Sequence, residues 1–289
     1  MTIADALKKA TEILSDNRIA DARRDAALLL GFVLNRDRAF LIANDDSSLS
    51  DEETTRFFKT IERRAFGEPV QYVTGRQEFF GLEFEVNKNV LIPRPETEIL
   101  VEAAIEILRE KQNPLVCDVG TGSGCIPISI LANLENAKAA AIDISPNALA
   151  VARKNAEKHR VADRIKFYES DVFERFKNLK SQISNLKFDV IVSNPPYVPN
   201  GDLPDLPREV REFEPHFALF GGDVGNEIVA RLLADAPQFL ENDGFMLFEI
   251  GFGQSETIKE MIDEKVWRLI EILDDLAGIP RIVVLQSNS

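Results

Sequence analysis

Two textures of hydrophobic pattern divide this chain. Over the first sixty-odd residues apolar positions recur at helical spacing: Ala22, Ala26, Leu29, Leu30 and Val33 fall on one stripe. Ser50 followed by Glu53 forms a capping-box signature ahead of Phe57, Phe58 and Ile61. No run there alternates as a strand does, so residues 1–66 are predicted to be a small helical domain. The texture changes at Gly67 and Pro69. QYVTGRQEFFGLEFEVNKNVLIP alternates apolar and polar residues around Gly81, as a short β-hairpin does, and residues 67–94 read as a linker carrying it.

From Pro95 onward Leu100, Val101, Ala104, Ile105 and Leu108 make a helical stripe, and strand-like runs then alternate with helical ones. Strands are predicted at 115–119, 138–144, 165–169, 188–194, 245–250, 267–273 and 282–285. Such alternation implies right-handed βαβ units in an open, doubly wound α/β sheet over residues 95–289. The last two strands are joined by DDLAGIPR, too short for a crossover helix, so the final strand is expected to run antiparallel. Seven strands, parallel except the last, resemble the Rossmann-like class I methyltransferase architecture more than a nicotinamide dehydrogenase.

Composition narrows the chemistry. A formal charge of −14 over 289 residues and a pI near 4.8 argue against a long phosphate-tracking surface, because nucleic-acid binding works through Lys and Arg clusters. No run approaches the roughly twenty apolar residues a bilayer span requires, and MTIADALKKA lacks a secretion-signal core, so no membrane partner and a cytoplasmic location are expected. Cys117 and Cys125 sit in apolar segments and read as buried reduced thiols. With two histidines and no metal-ligand spacing, no metal site is expected. There is also no GxxxxGK[ST] phosphate loop and no GxSxG nucleophile elbow.

In a doubly wound sheet ligands bind outside the carboxyl ends of the strands, and the loop after the first strand here is DVGTGSGC. Gly120, Gly122 and Gly124 let the backbone turn sharply and approach a ligand, and a helix starting near Ser123 offers N–H groups to an anion such as a carboxylate. The dinucleotide spacing needs a glycine where Cys125 stands. Gly120-x-Gly122-x-Gly124 after Asp118, with Thr121 and Ser123 between the glycines, looks instead like an S-adenosylmethionine loop. The next strand ends in AAAIDIS. Asp143 at its tip either accepts both ribose hydroxyls of a nucleoside or only helps Ser145 and Pro146 start the following helix. After the third strand Asp171, in ESDVF, is placed to reach an adenine amino group or is an ordinary acid of a polar loop.

The fourth strand, FDVIVSN, runs into two prolines and a tyrosine. Proline fixes φ and drives the preceding residue into an extended conformation, so Asn194 is held at the carboxyl end of the strand, as a turn residue or as a working group. A planar amide or ring NH2 is almost non-basic. The Asn194 side-chain oxygen and the Pro195 carbonyl can each take one of its hydrogens while positive charge develops on nitrogen, Pro196 stiffens the loop, and Tyr197 offers an aromatic face. No histidine base is required.

DVGTGSG, Asp143, NPPY and the long helical prefix together resemble the release-factor glutamine methyltransferase family, known as PrmC or HemK, over nearly the whole chain. EPVQYVTGRQEFFGLEFEVNKNVLIPRPETE and EPHFALFGGDVG make the likeness more specific than NPPY, which amino-methyltransferases of DNA and RNA share. The resemblance implies S-adenosylmethionine as cofactor, a class I peptide-chain release factor as partner, and methylation of a glutamine side-chain nitrogen. It implies cofactor contacts from Gly120, Thr121, Gly122, Ser123, Gly124, Asp143, Asp171, Val172 and Asn194, and substrate contacts from Asn194, Pro195, Pro196 and Tyr197. Asn194 and Pro195 would carry catalysis, and residues 1–66 would recognise the substrate. Val172 departs from the aromatic residue common in the family. Phe79, Arg94 and Glu96 either line the substrate mouth or, for Arg94 and Glu96, form an ion pair at the start of the Pro95 helix; Glu214 and Pro215 would order a loop over the site. A ribosomal-protein glutamine methyltransferase, a nucleic-acid amino-methyltransferase and a non-catalytic binding module are the competing readings.

Overall fold

A computed structural model describes residues 1–178 and 187–288. Its contacts divide the chain into two compact units, Met1–Arg76 with Leu206–Phe213, and the remainder. In chain order the first segment holds α1 (Ile3–Asp16), α2 (Ala22–Leu34), α3 (Arg38–Ala43), α4 (Asp51–Ala65) and α5 (Val70–Thr74). Both long amphipathic helices start on a capping box, Thr2 with Asp5 and Ser50 with Glu53, which satisfies N–H groups that a helix start leaves without partners. Ala6, Ala10 and Leu14 of α1, Leu29 and Leu30 of α2, and Phe57 and Ile61 of α4 are fully buried against one another. Arg64, also buried, holds buried Asp25 at 2.6 Å and exposed Glu209 at 2.8 Å, which ties the 206–213 segment to the helices.

The hairpin is shorter than the alternating pattern predicts. Pro69 caps α5, Tyr72 and Val73 bury adjacent positions on one helical face, and Gly75 ends the turn at φ +75°. Only β1 (Arg76–Phe79) and β2 (Leu82–Glu85) are extended, reversing at Phe80 and Gly81, both at positive φ.

The second unit continues with α6 (Glu98–Leu108), β3 (Leu115–Val119), α7 (Cys125–Asn133), β4 (Lys138–Asp143), α8 (Pro146–Lys158), β5 (Ile165–Glu169), α9 (Glu174–Asn178), β6 (Phe188–Ser193) and β7 (Val198–Pro199). Beyond α10 (Arg208–Phe213), which belongs to the first unit, come β8 (Phe220–Gly222), α11 (Glu227–Asp235), β9 (Leu240–Glu249), α12 (Ser255–Met261), β10 (Trp267–Asp274) and β11 (Pro280–Ser287). The large sheet has the order β10-β11-β9-β6-β3-β4-β5. β5, β4, β3, β6 and β9 are parallel; β11 is antiparallel to both β9 and β10, as the short connection requires.

Strand residues alternate between two apolar layers. Val116, Val190, Val192 and Val284 face one, and Cys117, Ile191, Met246 and Val283 the other. Both faces are covered, which is why these strands read as near-continuous apolar runs. β9 starts five residues before its apolar run because Leu240 already pairs with Phe188; the register then shifts across polar residues 241–244, with Asp243 at φ +57°, and pairing with β6 resumes at Phe245. The chain steps from β3 outward to β4 and β5, then returns to place β6 on the other side of β3. That reversal opens a crevice at the carboxyl ends of β3 and β6, between the glycine loop and Asn194.

Candidate active site

The loop after β3 is pinned from below. The N–H groups of Gly120 and Thr121 both donate to the Ile142 carbonyl at 2.9 Å, and that of Gly122 donates to Asp143 Oδ2 at 2.8 Å. Gly120 and Gly122 have φ of +79° and +53°. A Cβ on Gly122 would meet no protein atom within 4 Å, so packing within the chain does not fill the space above it. Gly124 is glycine for another reason: its Cβ would lie 2.9 Å from Ile128 and 3.1 Å from Ala152, where α7 passes α8. It caps α7 and does not line the crevice, and the helix begins at Cys125, two residues later than the sequence suggests.

Asp143 takes the helix-entry role and a second, bracing one. Its Oδ1 accepts from the Ser145 N–H at 2.9 Å, opening α8, while Oδ2 braces the glycine loop, and the carboxylate lines the crevice. Each oxygen keeps a second lone pair. Burial raises its pKa, opposed by the N–H donors of Ser145 and Gly122. Beneath the loop, neither oxygen of buried Asp118 has a hydrogen-bond partner. Burial pushes its pKa up to about 7, opposed only in part by the neighbouring Thr121 hydroxyl, which stands outside hydrogen-bonding geometry. Asp171 lines the crevice with its carboxylate paired to Arg231 at 2.9 Å. Val172 is buried at φ +47°, a conformation a β-branched residue adopts only under strain.

At the end of β6 the Ser193 hydroxyl donates to the Val119 carbonyl at 2.7 Å, fixing the NPPY turn to the glycine loop. Asn194, Pro195 and Pro196 line the crevice. The Asn194 amide donates through Nδ2 to Thr97 Oγ1 at 3.0 Å, and Thr97 donates to Glu249 Oε2 at 2.5 Å. Tyr197 does not present a face to the crevice. Its hydroxyl reaches Glu249 Oε1 at 3.3 Å, and a Cβ on Gly251 would touch its ring at 3.0 Å. Burial pushes the Glu249 carboxyl up to about 7, against the pull of the Thr97 and Tyr197 hydroxyls and of Arg281.

Around these groups lies an open cleft. Gly120 to Ser123 and Asp143 form one wall, Asp171 and Val172 another, and Asn194 to Pro196 a third. Arg94 lines it and pairs with Glu214 at 2.5 Å rather than with Glu96; Glu214 also accepts the Ile92 N–H at 3.1 Å, anchoring the chain ahead of α6. Phe79 is a core residue packed edge-on against Phe84, away from the cleft. Sequence reasoning missed Thr97, Glu249, and the exposed apolar side chains of Ile144 and Phe217 at the rim. An acid ending the apolar run of β9 was the available signal for Glu249. Among the described residues no cluster of His, Cys, Asp or Glu could hold a metal ion, and no helix is long and apolar enough to cross a membrane.

Comparison with known proteins gives this geometry a context. Residues 5–75 match the PrmC N-terminal domain, and residues 110–238 a methyltransferase domain. The release factor glutamine methyltransferase of Koribacter versatilis is 40% identical over 98% of this chain and 98% of its own, and that of Clostridium acetobutylicum is 36% identical with the same coverage. Among solved structures, the hMettl16 catalytic domain in complex with a MAT2A 3'UTR hairpin shares the fold, with a TM-score of 0.58, 19% identity and 83% coverage of each chain.

Proposed function

The chain belongs to the release factor glutamine methyltransferase family, and from that premise we propose that it methylates the side-chain amide nitrogen of the glutamine in the Gly-Gly-Gln motif of a class I peptide-chain release factor, with S-adenosylmethionine as donor. The observation that carries the reading is the facing of two walls. A glycine loop with open space above Gly122 and a half-satisfied Asp143 stands on one side, and Asn194, its amide nitrogen held by Thr97, on the other.

The residues present fit that donor. Asp143 retains a lone pair on each oxygen for the two ribose hydroxyls, the first turn of α7 at Cys125 and Ile126 turns N–H groups toward a carboxylate, and Ile144 gives an apolar surface to a base. When bound, S-adenosylmethionine supplies an electrophilic methyl on a sulfonium. The protein's task is then to hold a weak nucleophile in line and exclude water. Asn194 Oδ1 and the Pro195 carbonyl each accept a hydrogen bond from the substrate NH2, holding its plane while nitrogen gains positive charge; as the N–CH3 bond forms and the S–CH3 bond breaks to leave a neutral thioether, nitrogen releases one proton to solvent and a neutral N-methyl amide remains. Pro195 and Pro196 keep those acceptors from moving. Glycines on either side of the substrate glutamine let it enter a narrow cleft.

The test is mass spectrometry of a release factor incubated with the protein and S-adenosylmethionine. Methyl is expected on the motif glutamine alone. A glutamine-to-asparagine substrate, one methylene shorter, should lose transfer, and a glutamate substrate has no NH2 to accept it. Methyl on DNA, or on any other residue of the factor, refutes the assignment. Residues 1–66 are proposed to recognise the body of the substrate. Aspartate in place of exposed Leu28 and Ile42 should then raise KM for the factor several-fold and leave cofactor affinity unchanged; an unaltered KM argues against that role.

A further inference from the structure

An asparagine can offer either polarity to a cleft. Its amide carries an oxygen that accepts and an NH2 that donates, and half a turn about χ2 exchanges them. Methyl transfer to an NH2 group needs the oxygen facing inward, because the substrate brings hydrogens to be accepted. The group behind Asn194 decides which end faces in.

Behind it stands Thr97, and behind Thr97 stands Glu249. A threonine hydroxyl owns a single proton. Once Glu249 is ionised, above about pH 7, Thr97 spends it on Glu249 Oε2, so only lone pairs are left for Asn194, and only Nδ2 can meet a lone pair. Turning the amide over would set Oδ1 against the Thr97 oxygen with no hydrogen between them, the cost of a buried acceptor left unsatisfied. Glu249 is fixed as an acceptor from its other side too, since Tyr197 donates to Oε1. Thr97 and Glu249 are 2% and 1% exposed, so water does not substitute for either partner. A glutamine at 249 would lose this directionality: its NH2 could donate to Thr97 and release the hydroxyl proton toward Asn194 Oδ1.

We propose that Thr97 and Glu249 are positioning residues that fix the polarity of the Asn194 amide, turning its oxygen to the cleft and making the site selective for an NH2 group over a carbonyl or carboxylate. The inference rests on the methyl-transfer reading above. It extends that reading to Thr97 in the cleft wall and to Glu249 behind it. It also gives Tyr197 a place, as the second donor that keeps Glu249 an acceptor.

Three variants test it in the full-length protein: Thr97→Val, which keeps shape and loses the hydroxyl; Thr97→Ser, which keeps the hydroxyl; and Glu249→Gln, nearly isosteric. Each is measured at pH 8.5, where Glu249 is ionised, for kcat and KM on a release factor, for cofactor affinity by calorimetry, and for inhibition by the same factor carrying glutamate in place of the target glutamine. Thr97→Val and Glu249→Gln should lower kcat by about tenfold or more with cofactor affinity within about threefold, and Thr97→Ser should recover most of the loss. The wild type should discriminate against the glutamate factor, and Glu249→Gln should narrow that discrimination by about tenfold. A purely structural role predicts no change in discrimination. Wild-type kcat in Thr97→Val, equal losses in the Ser and Val variants, or unchanged discrimination in Glu249→Gln overturns the inference while the function reading stands. If Thr97→Val does not fold, Glu249→Gln decides alone. A wild-type protein that transfers no methyl overturns the function reading, and this inference with it.

Discussion

Replacing Asp143 by asparagine separates its two jobs. In the native protein each carboxylate oxygen already accepts one backbone N–H, from Gly122 at 2.8 Å and from Ser145 at 2.9 Å, and each has one further lone pair for a ligand hydroxyl. The asparagine keeps the shape but turns an NH2 toward one of those N–H donors, leaving a partly buried donor unpaired at a cost of about 1–3 kcal/mol. It also removes the charge from both ligand hydrogen bonds. Charge-assisted bonds are worth about 1.5–3 kcal/mol, against roughly 1 kcal/mol for neutral ones. Loss of the charge at two bonds therefore costs about 1–4 kcal/mol of binding, a rise in Kd of roughly tenfold to several hundredfold. Calorimetric titration with S-adenosylmethionine gives the second quantity and thermal unfolding of the free protein the first. A folded variant with wild-type Kd and a lowered Tm would show that Asp143 only braces the loop and the helix. Wild-type Tm with weakened binding would show that the brace is dispensable.

Two further outcomes are expected. Asn194→Ala should slow single-turnover methyl transfer by roughly a hundredfold or more, with a much smaller change in cofactor affinity, since one preorganised acceptor at the reacting nitrogen is lost; a near-native rate at saturation would leave Asn194 as a turn residue. Asp118 and Glu249, both pushed up to about 7 by burial, stay protonated in the folded protein over a range where the unfolded chain has already ionised. The folded state then binds more protons, so stability should fall as pH rises from about 4 to 7, by on the order of 3 kcal/mol for each group, and level off above. Tm measured at pH 6 and pH 8 checks the sign, and Asp118→Asn should flatten the slope; a Tm that rises with pH contradicts it.

Much of the scaffold was legible in the sequence because it rests on continuous apolar runs. β3 and β6 are buried on both faces, and nothing in such a run competes with the strand reading. Features set by partners far away in the chain were not legible. REVREF in α10 is mostly charged, and it joins the helical unit because its Glu209 binds Arg64, which Asp25 and the Glu68 carbonyl also bind. Removing Asp25 or Arg64, the buried pair, leaves an uncompensated charge at about 3–5 kcal/mol, yet each residue alone reads as surface. Residues 70–73 alternate like a strand and wind into α5 because Pro69 caps the turn and Gly75 ends it. At the site, the glycine loop, Asp143 and Asn194 carry recognisable spacing. Tyr197 and Gly124 share that spacing, but their side of the backbone is fixed by Glu249 and by α8, which no local pattern encodes.

The choice between a protein and a nucleic-acid substrate turns on where the positive charge goes. NPPY specifies a planar nitrogen and says nothing of its owner, and the shared fold with hMettl16 says nothing either, since at 19% identity it speaks for the scaffold alone. A base reaches such a cleft attached to phosphates, each of which needs a cation or a helix start near the mouth. The cation lining this cleft is Arg94, and its guanidinium is held by Glu214, a side chain 1% exposed that also binds the Ile92 N–H. Moving Arg94 to a phosphate would leave a buried carboxylate without its charge partner, so the cost falls on the protein before any affinity is gained. The remaining charges on the walls are the acids Asp143 and Asp171, and the latter already occupies Arg231. A neutral peptide loop meets none of these penalties. A glutamine flanked by glycines brings one NH2 and no net charge to a cleft whose nearest cation is already paired, and the acidic chain as a whole then presents no barrier to binding it.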